Sequence, residues 1–330
     1  MAAEMAAQPE VLARLVARAP EDVAAVRATV PSPLAGVVFL ARGSSDNAAV
    51  FGRYLAELTA GRPAGLAAPS LYTRYHAAVD WQGYLVVALS QSGATPEIIT
   101  TCQAMRSAGA AVIGVTNEPG SPLAGTAQVL LAAEAGPERA IPATKTVTAQ
   151  FALLLSVAAA LAPNPALGQS PGRGLADLPA AVAGVLAEPA PVAALADRWA
   201  AVDRLVVAGR GLAYAAALET ALKVKETTGI LAEGFSTADL LHGPIATVYA
   251  GAPVLLIDAG GPPGADLDGL RGLLARNGAD SATLPVPAGP EPARVITAVV
   301  RGQQLAHMLS RARGTDPDAP ANLTKVTATT

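Results

Sequence analysis

Apolar residues along this chain fall into two patterns, short uninterrupted runs and longer stretches in which they recur every three or four positions. Gly36-Val37-Val38-Phe39-Leu40-Ala41, Tyr84-Leu85-Val86-Val87-Ala88-Leu89, Ala111-Val112-Ile113-Gly114-Val115-Thr116-Asn117 and Leu205 to Ala208 are runs of strand length, with a shorter one at Val129-Leu130-Leu131. Runs that are apolar throughout, rather than at alternate positions, predict strands covered on both faces, as in a parallel sheet. Helical stretches lie between them: one from the serines after residue 43 to about Ala60, one to about Ala108 and one from about Ile141 to Ala162. Two more cover about 175 to 187 and 191 to 200, and a last one about Ala293 to Ala312. Strands and helices alternating at this pace predict an α/β fold with helices wrapped over both faces of a parallel sheet. Residues 1–30 read as helix, broken near Ala19-Pro20, with Leu12, Leu15 and Val16 on one side.

Polar residues concentrate where strands hand over to helices. The first strand runs into Arg42-Gly43-Ser44-Ser45-Asp46, the layout of either a capped helix start or an anion site at a helix N-terminus. The second runs into Ser90-Gln91-Ser92-Gly93-Ala94-Thr95-Pro96-Glu97. One capping residue suffices for a plain helix start, so three hydroxyls with a glycine among them favour phosphate held by backbone N–H and side-chain donors. No Gly-Lys-Ser/Thr follows, so this is not a P-loop. The layout then repeats. VVFLARGSSDNAAV near residue 37 aligns with RLVVAGRGLAYAAA near residue 204, and YLVVALSQSGAT near residue 84 with PVLLIDAGGPPG near residue 253. In the second copy the hydroxyls are gone and Asp258 occupies part of the loop, so only the first copy keeps the phosphate chemistry. Between the copies, Pro163-Asn164-Pro165 and Gln169-Ser170-Pro171-Gly172-Arg173-Gly174 read as a linker.

Composition narrows the function classes. Charged residues make up 15 % of the 330 positions, against ~25 % in an average globular protein. A net charge of −3 with no basic stripe gives no footprint for nucleic acid. The single cysteine, Cys102, excludes a disulfide framework and a cysteine-based metal site, and reads as a buried small residue on a helix. The longest apolar run, Phe151 to Ala162, falls short of the ~20 residues of a membrane span. No lysine-led apolar segment opens the chain. These features predict a soluble, cytoplasmic protein that engages neither nucleic acid nor membrane.

In so weakly charged a chain, Ala208 to Ala246 stands out. Lys223 and Glu226 lie three apart on one helical face, and His242 follows before Gly243-Pro244. A lysine, a carboxylate and a histidine brought together suit proton transfer. Lys325, on the C-terminal tail, reads from composition as a solvated lysine.

Taken in order, Gly43-Ser44-Ser45, Ser90-Gln91-Ser92-Gly93-Ala94-Thr95, Ala143-Thr144-Lys145, Leu218-Glu219-Thr220-Ala221-Leu222-Lys223-Val224-Lys225-Glu226, His242-Gly243-Pro244 and Asn322-Leu323-Thr324-Lys325 resemble the tandem sugar isomerase (SIS) domains that form the isomerase half of glutamine–fructose-6-phosphate aminotransferase. The resemblance covers about residues 30 to 330. It implies two tandem SIS domains, each a flavodoxin-like parallel sheet flanked by helices: a helical segment at 1–30, a phosphate-binding domain at 31–165, a linker at 166–190, and a second domain at 191–330 ending in a catalytic tail. It also implies roles. Ser45, Ser90, Gln91, Ser92 and Thr95 would cradle the sugar phosphate, with Ala143, Thr144 and Glu233 lining the same pocket. Glu226 would shuttle the proton between C1 and C2 of the open-chain sugar, assisted by Lys223. His242 would open the ring, reaching in from the second subunit of a homodimer, and Lys325 would be the lysine associated with a Schiff base to the sugar carbonyl. The partner is thus a phosphorylated sugar, and no cofactor or metal is implied.

Three departures bear on the substrate. About 30 residues precede the first strand and none is a cysteine, so glutamine-derived ammonia has no source in this sequence. Ala143 stands where a serine is usual, and Leu241 and Gly229 replace larger or charged residues, making the pocket near His242 more apolar. The leading expectation is therefore a glucosamine-6-phosphate deaminase that releases fructose 6-phosphate and ammonia. A deglycase or isomerase of another phosphorylated amino sugar or ketosamine is the second, and a phosphosugar sensor without turnover the third.

Overall fold

The structure is a computed structural model that describes residues 1–162, 174–320 and 322–325; the linker motifs between Pro163 and Arg173 lie outside the described residues. Helices α1 (Ala2–Ala6) and α2 (Gln8–Thr29) open the chain. Then follow β1 (Gly36–Leu40), α3 (Ser44–Ala60), β2 (Ala64–Leu66), α4 (Ser70–Thr73), β3 (Tyr84–Leu89), α5 (Pro96–Ser107), β4 (Ala111–Thr116), α6 (Pro122–Thr126), β5 (Val129–Ala132) and α7 (Lys145–Leu161). Helices α8 (Leu178–Ala187) and α9 (Ala190–Arg198) lead into β6 (Arg204–Gly209), α10 (Ala213–Thr228), β7 (Leu231–Ser236), α11 (Thr237–Leu241), β8 (Pro253–Ile257), α12 (Gly264–Arg276), β9 (Asp280–Thr283) and α13 (Glu291–Ala312).

Helix α2 runs through Pro20, where the sequence predicts a break; the interruption falls at Ala7 instead. A proline removes one helical hydrogen bond, and here Arg18 and Asp22 straddle it, with Nε donating to Oδ1 at 3.0 Å. Ala19 and Val26 bury their side of the same helix.

The chain divides into two compact units. The first holds Glu10–Glu138 and Lys145–Ala176. Its five strands are parallel in the order β2-β1-β3-β4-β5, the doubly wound flavodoxin-like order, whose switch point lies between β1 and β3. Val38, Leu40, Val86, Ala88 and Val112 from three strands pack with Ile98, Cys102 and Met105 of α5. Burial in this core pushes the Cys102 thiol up to about 12, against the opposing pull of Arg106. Helix α7 has sixteen of its seventeen residues buried, which explains its apolar composition without a membrane. Among the described residues no single helix is long and apolar enough to cross one.

The second unit holds Met1–Pro9, Arg139–Thr144 and Asp177–Lys325. Its sheet repeats the pattern with one strand fewer, β7-β6-β8-β9, again parallel. Ala208, Val254 and Leu256 of the sheet pack with Leu267, Leu270 and Leu274 of α12. Helices α10 and α13 meet so closely that a Cβ on Gly302 would lie 2.2 Å from Thr220 Oγ1.

Candidate functional site

In the first unit the loops after β1 and β3 emerge side by side, because the register pairs Leu40 with Ala88. This places Arg42 and Ser90, each two residues further on, at the same level of the switch point, where α/β sheets bind ligands. Ser45 is buried in the first turn of α3, and Gly43 before it has φ +60°. In the second loop Ser90 Oγ accepts from Gly93 N at 3.2 Å and lies 3.3 Å from Thr95 Oγ1, while Ser92 Oγ accepts from Ala94 N at 3.2 Å. Gly93 (φ +59°) has no room for a side chain, since a Cβ would come within 2.1 Å of Ser121 Oγ. Behind the loop, Gln91 O accepts from Thr116 Oγ1 and from Asn117 N, both at 3.1 Å. The hydroxyls Ser90, Ser92 and Thr95, with Gln91, therefore sit on a backbone pinned from behind, and Ser45 stands on the neighbouring loop. A phosphate at this place would meet donors that need little reorganisation.

An ion pair not anticipated from the sequence spans the two loops. Arg42 Nε and Nη2 donate to Glu97 Oε2 and Oε1, each at 3.0 Å, in the bidentate arrangement that makes arginine–carboxylate pairs strong. The hydrogen bonds that Arg42 donates to Glu97 raise the arginine's pKa. Burial raises that of Asp46, with Arg42 opposing.

In the second unit α10 carries three charged groups on one stripe. Lys223 is 1 % exposed and lies between Glu219, which is wholly buried with an oxygen 3.6 Å away, and Glu226, to which Nζ donates a hydrogen bond. Glu226 is the more exposed carboxylate, 22 % open. It forms part of the wall of a cavity of about 760 Å³ with Lys225 and Gly229 of the same helix end and Asp316, Asn322 and Leu323 of the C-terminal segment. Glu219 was not singled out in the sequence, although its i−4 spacing from Lys223 places it on the same face. Gly229 needs no substrate-based explanation. It is the helix C-cap at φ +71°, a conformation that favours glycine over a larger residue.

The remaining predicted residues are distributed as follows. Lys325 donates from Nζ to Ala140 O, so the tail is tied to the Arg139–Thr144 stretch that holds Ala143 and Thr144. Thr144 is buried, and its carbonyl accepts from Gln303 Nε2 at 3.2 Å. Glu233 on β7 and His242 at the end of α11 are both exposed, and neither lines the cavity beside Glu226. Leu241, expected to make that pocket more apolar, is also outside its wall, 46 % exposed. Among the described residues no group of three or more His, Cys, Asp or Glu could hold a metal ion.

The SIS domain family model matches residues 36–160 and 200–284, one stretch in each unit. The glutamine–fructose-6-phosphate aminotransferase of Symbiobacterium thermophilum is 35 % identical over 312 residues, covering 88 % of this chain and 51 % of its own length. The chain thus spans about half the length of the curated relatives it matches. A crystal structure from Silicibacter pomeroyi, provisionally described as a phosphosugar isomerase, is 31 % identical with a TM-score of 0.88, covering 96 % of this chain and 99 % of that one. The glucosamine-6-phosphate deaminase of Thermotoga maritima shares the fold at a TM-score of 0.70 and 20 % identity, covering 94 % of this chain and 98 % of that one.

Proposed function

Because the chain belongs to the SIS domain family, we propose that it is a phosphosugar aldose–ketose isomerase and deaminase that converts glucosamine 6-phosphate and water to fructose 6-phosphate and ammonia. The observation that carries this reading is the setting of Glu226, hydrogen-bonded to a buried ammonium on one side and facing a cavity on the other. The cavity lies within the ~300–1,000 Å³ usual for small-ligand sites.

In this reading the hydroxyls of Ser45, Ser90, Ser92 and Thr95, with Gln91, bind the phosphate far from the reacting carbons and supply positioning energy. Ala143, Thr144 and Glu233, which lie outside the wall of the cavity beside Glu226, are assigned to the substrate by the family resemblance alone. His242, exposed at the end of its helix, serves the ring-opening step of a neighbouring subunit in a homodimer, a role that suits a group exchanging protons near neutral pH. Glu226 takes the C2 proton of the open-chain amino sugar and returns it to C1. The C1 carbonyl becomes a hydroxyl, the C2 amine becomes an imine, and water adds at C2 to expel ammonia. Lys223 steadies the negative charge that develops on oxygen between the two proton transfers. Lys325, whose Nζ donates to Ala140 O, is the amine assigned to a Schiff base with the sugar carbonyl.

The test is to incubate the purified protein with glucosamine 6-phosphate and follow ammonia and fructose 6-phosphate together. Equimolar release that disappears in Glu226→Gln supports the reading. Absence of both products from a protein that turns over a phosphorylated ketosamine favours the second reading, for which the presence of Asp316 in the cavity wall speaks, since a carboxylate there could receive an amine substituent. Identical behaviour of wild type and Glu226→Gln in every assay would point to a sensor.

A further inference from the structure

The phosphate cradle contains a charge conflict. Helix α5 begins with Thr95 as N-cap, Pro96 and then Glu97, so a carboxylate stands in the first turn of the very helix whose N-terminus would face the phosphate. A helix N-terminus attracts anions, and a bare carboxylate there would compete with the phosphate and repel it. Glu97 is not bare. Its side chain is 8 % exposed and both oxygens are held by Arg42, which reaches across from the loop after β1.

The second unit supplies an internal comparison. At the equivalent place, after β6, Arg210 pairs with Asp266 in the first turn of α12, the helix after β8. There the bond from Nε is at 2.9 Å, and the side chains are 37 % and 52 % exposed. The pair is thus a recurring part of the fold. It is bidentate and buried on its acidic side in the unit whose loop carries the hydroxyls. In the unit whose loop carries Asp258-Ala259-Gly260-Gly261 instead, it is more exposed and its carboxylate accepts through one oxygen.

We propose that Arg42 is a specificity-determining residue for the phosphorylated substrate, which masks the Glu97 carboxylate so that a phosphate can occupy the α5 N-terminus. The inference rests on the reading of Ser45 and Ser90 to Thr95 as a phosphate cradle. It makes an asymmetric prediction. A simple strut would lose affinity when either partner is removed, whereas a mask fails only when the arginine goes. Arg42→Lys replaces the fork with a point charge and should mask poorly.

Calorimetry on a Glu226→Gln background, where turnover is blocked, provides the test, with glucosamine 6-phosphate as ligand and unphosphorylated glucosamine as control. Unmasking a like charge beside the anion in Arg42→Met should weaken glucosamine 6-phosphate binding by about tenfold or more and leave glucosamine unchanged. Glu97→Gln should bind glucosamine 6-phosphate at least as tightly as the parent, and the Arg42→Met/Glu97→Gln double variant should recover most of the lost affinity. Circular dichroism of each variant checks that it is folded, and the double variant and Glu97→Gln carry the test if Arg42→Met does not fold. Equal losses in Arg42→Met and Glu97→Gln, or a double variant as weak as the single, would overturn the mask while leaving the cradle intact. A parent that binds no phosphosugar would overturn both.

Discussion

Lys223 is an ammonium withdrawn from water and held between two carboxylates of its own helix, Glu219 inside and Glu226 toward the cavity. Removing one partner of such a group leaves the other buried without compensation, at a cost of ~3–5 kcal/mol. Lys223→Met should therefore lower the unfolding free energy read from urea titration by an amount in that range, and Lys223→Met/Glu219→Gln should regain a good part of it. A second residue-scale effect concerns pH. His307 on α13 has its pKa lowered from the ordinary 6.5, chiefly by burial and further by the Met1 ammonium and Arg311, against the pull of Asp318. The unfolded chain then binds the proton first as pH falls, so stability is unaffected above about pH 6.5 and declines below it until the folded-state value is passed. His307→Gln should flatten that decline in denaturation midpoints measured across the range. Lys223 and Glu226 were legible in the sequence because helical spacing alone puts them on one face. Arg42 and Glu97 were not, because 55 positions separate them and only the pairing of β1 with β3 brings their loops together.

At the scale of elements, the contact between α10 and α13 sets where the Glu219–Lys223–Glu226 stripe stands. Gly302 admits Thr220 against the α13 backbone, and Thr227 Oγ1 donates to Ala306 O at 3.2 Å further along the same seam. Gly302→Ala should destabilise the fold by ~1–3 kcal/mol through overpacking, read from thermal or urea unfolding. Thr220→Ala in the same chain should restore most of the loss. The central strands β1, β3, β4 and β6 were readable as unbroken apolar runs because both their faces are covered, β8 through its alignment with β3, and the edge strand β5 as a shorter run. Strands β2, β7 and β9 carry no such run. Ala64-Gly65-Leu66, Leu231 to Ser236 and Asp280 to Thr283 are largely exposed or half-buried, and they are held by backbone pairing at or near a sheet edge, which leaves little hydrophobic signature. The persistence of α2 through Pro20 was likewise hidden, since a proline inside a helix removes a hydrogen bond and reads as a break.

At the scale of the whole molecule, the exposed His242 and the buried Lys223 belong to one sequence motif set but to different surroundings. If ring opening is supplied by a neighbouring copy, Glu226→Gln and His242→Asn, each inactive alone, should complement when refolded together. In a two-fold dimer the mixed species has one intact site, so recovery should approach about a quarter of wild-type activity. Independent sites would give none, and size-exclusion chromatography of the mixture would show whether the dimer formed. The sequence disclosed the two-copy architecture because its glycine turns repeat, but it carried no direct sign of assembly.

The burial of Cys102 has a practical consequence for such measurements. With its thiol inaccessible and its pKa pushed up to about 12, the native cysteine is a poor target for maleimide and nitroxide reagents at neutral pH. The wild-type chain therefore serves directly as a cysteine-free background. A Leu231→Cys variant, altered at a position 72 % exposed, would take up a single spin label, and dipolar spectroscopy could then measure separations between copies without first removing a core residue.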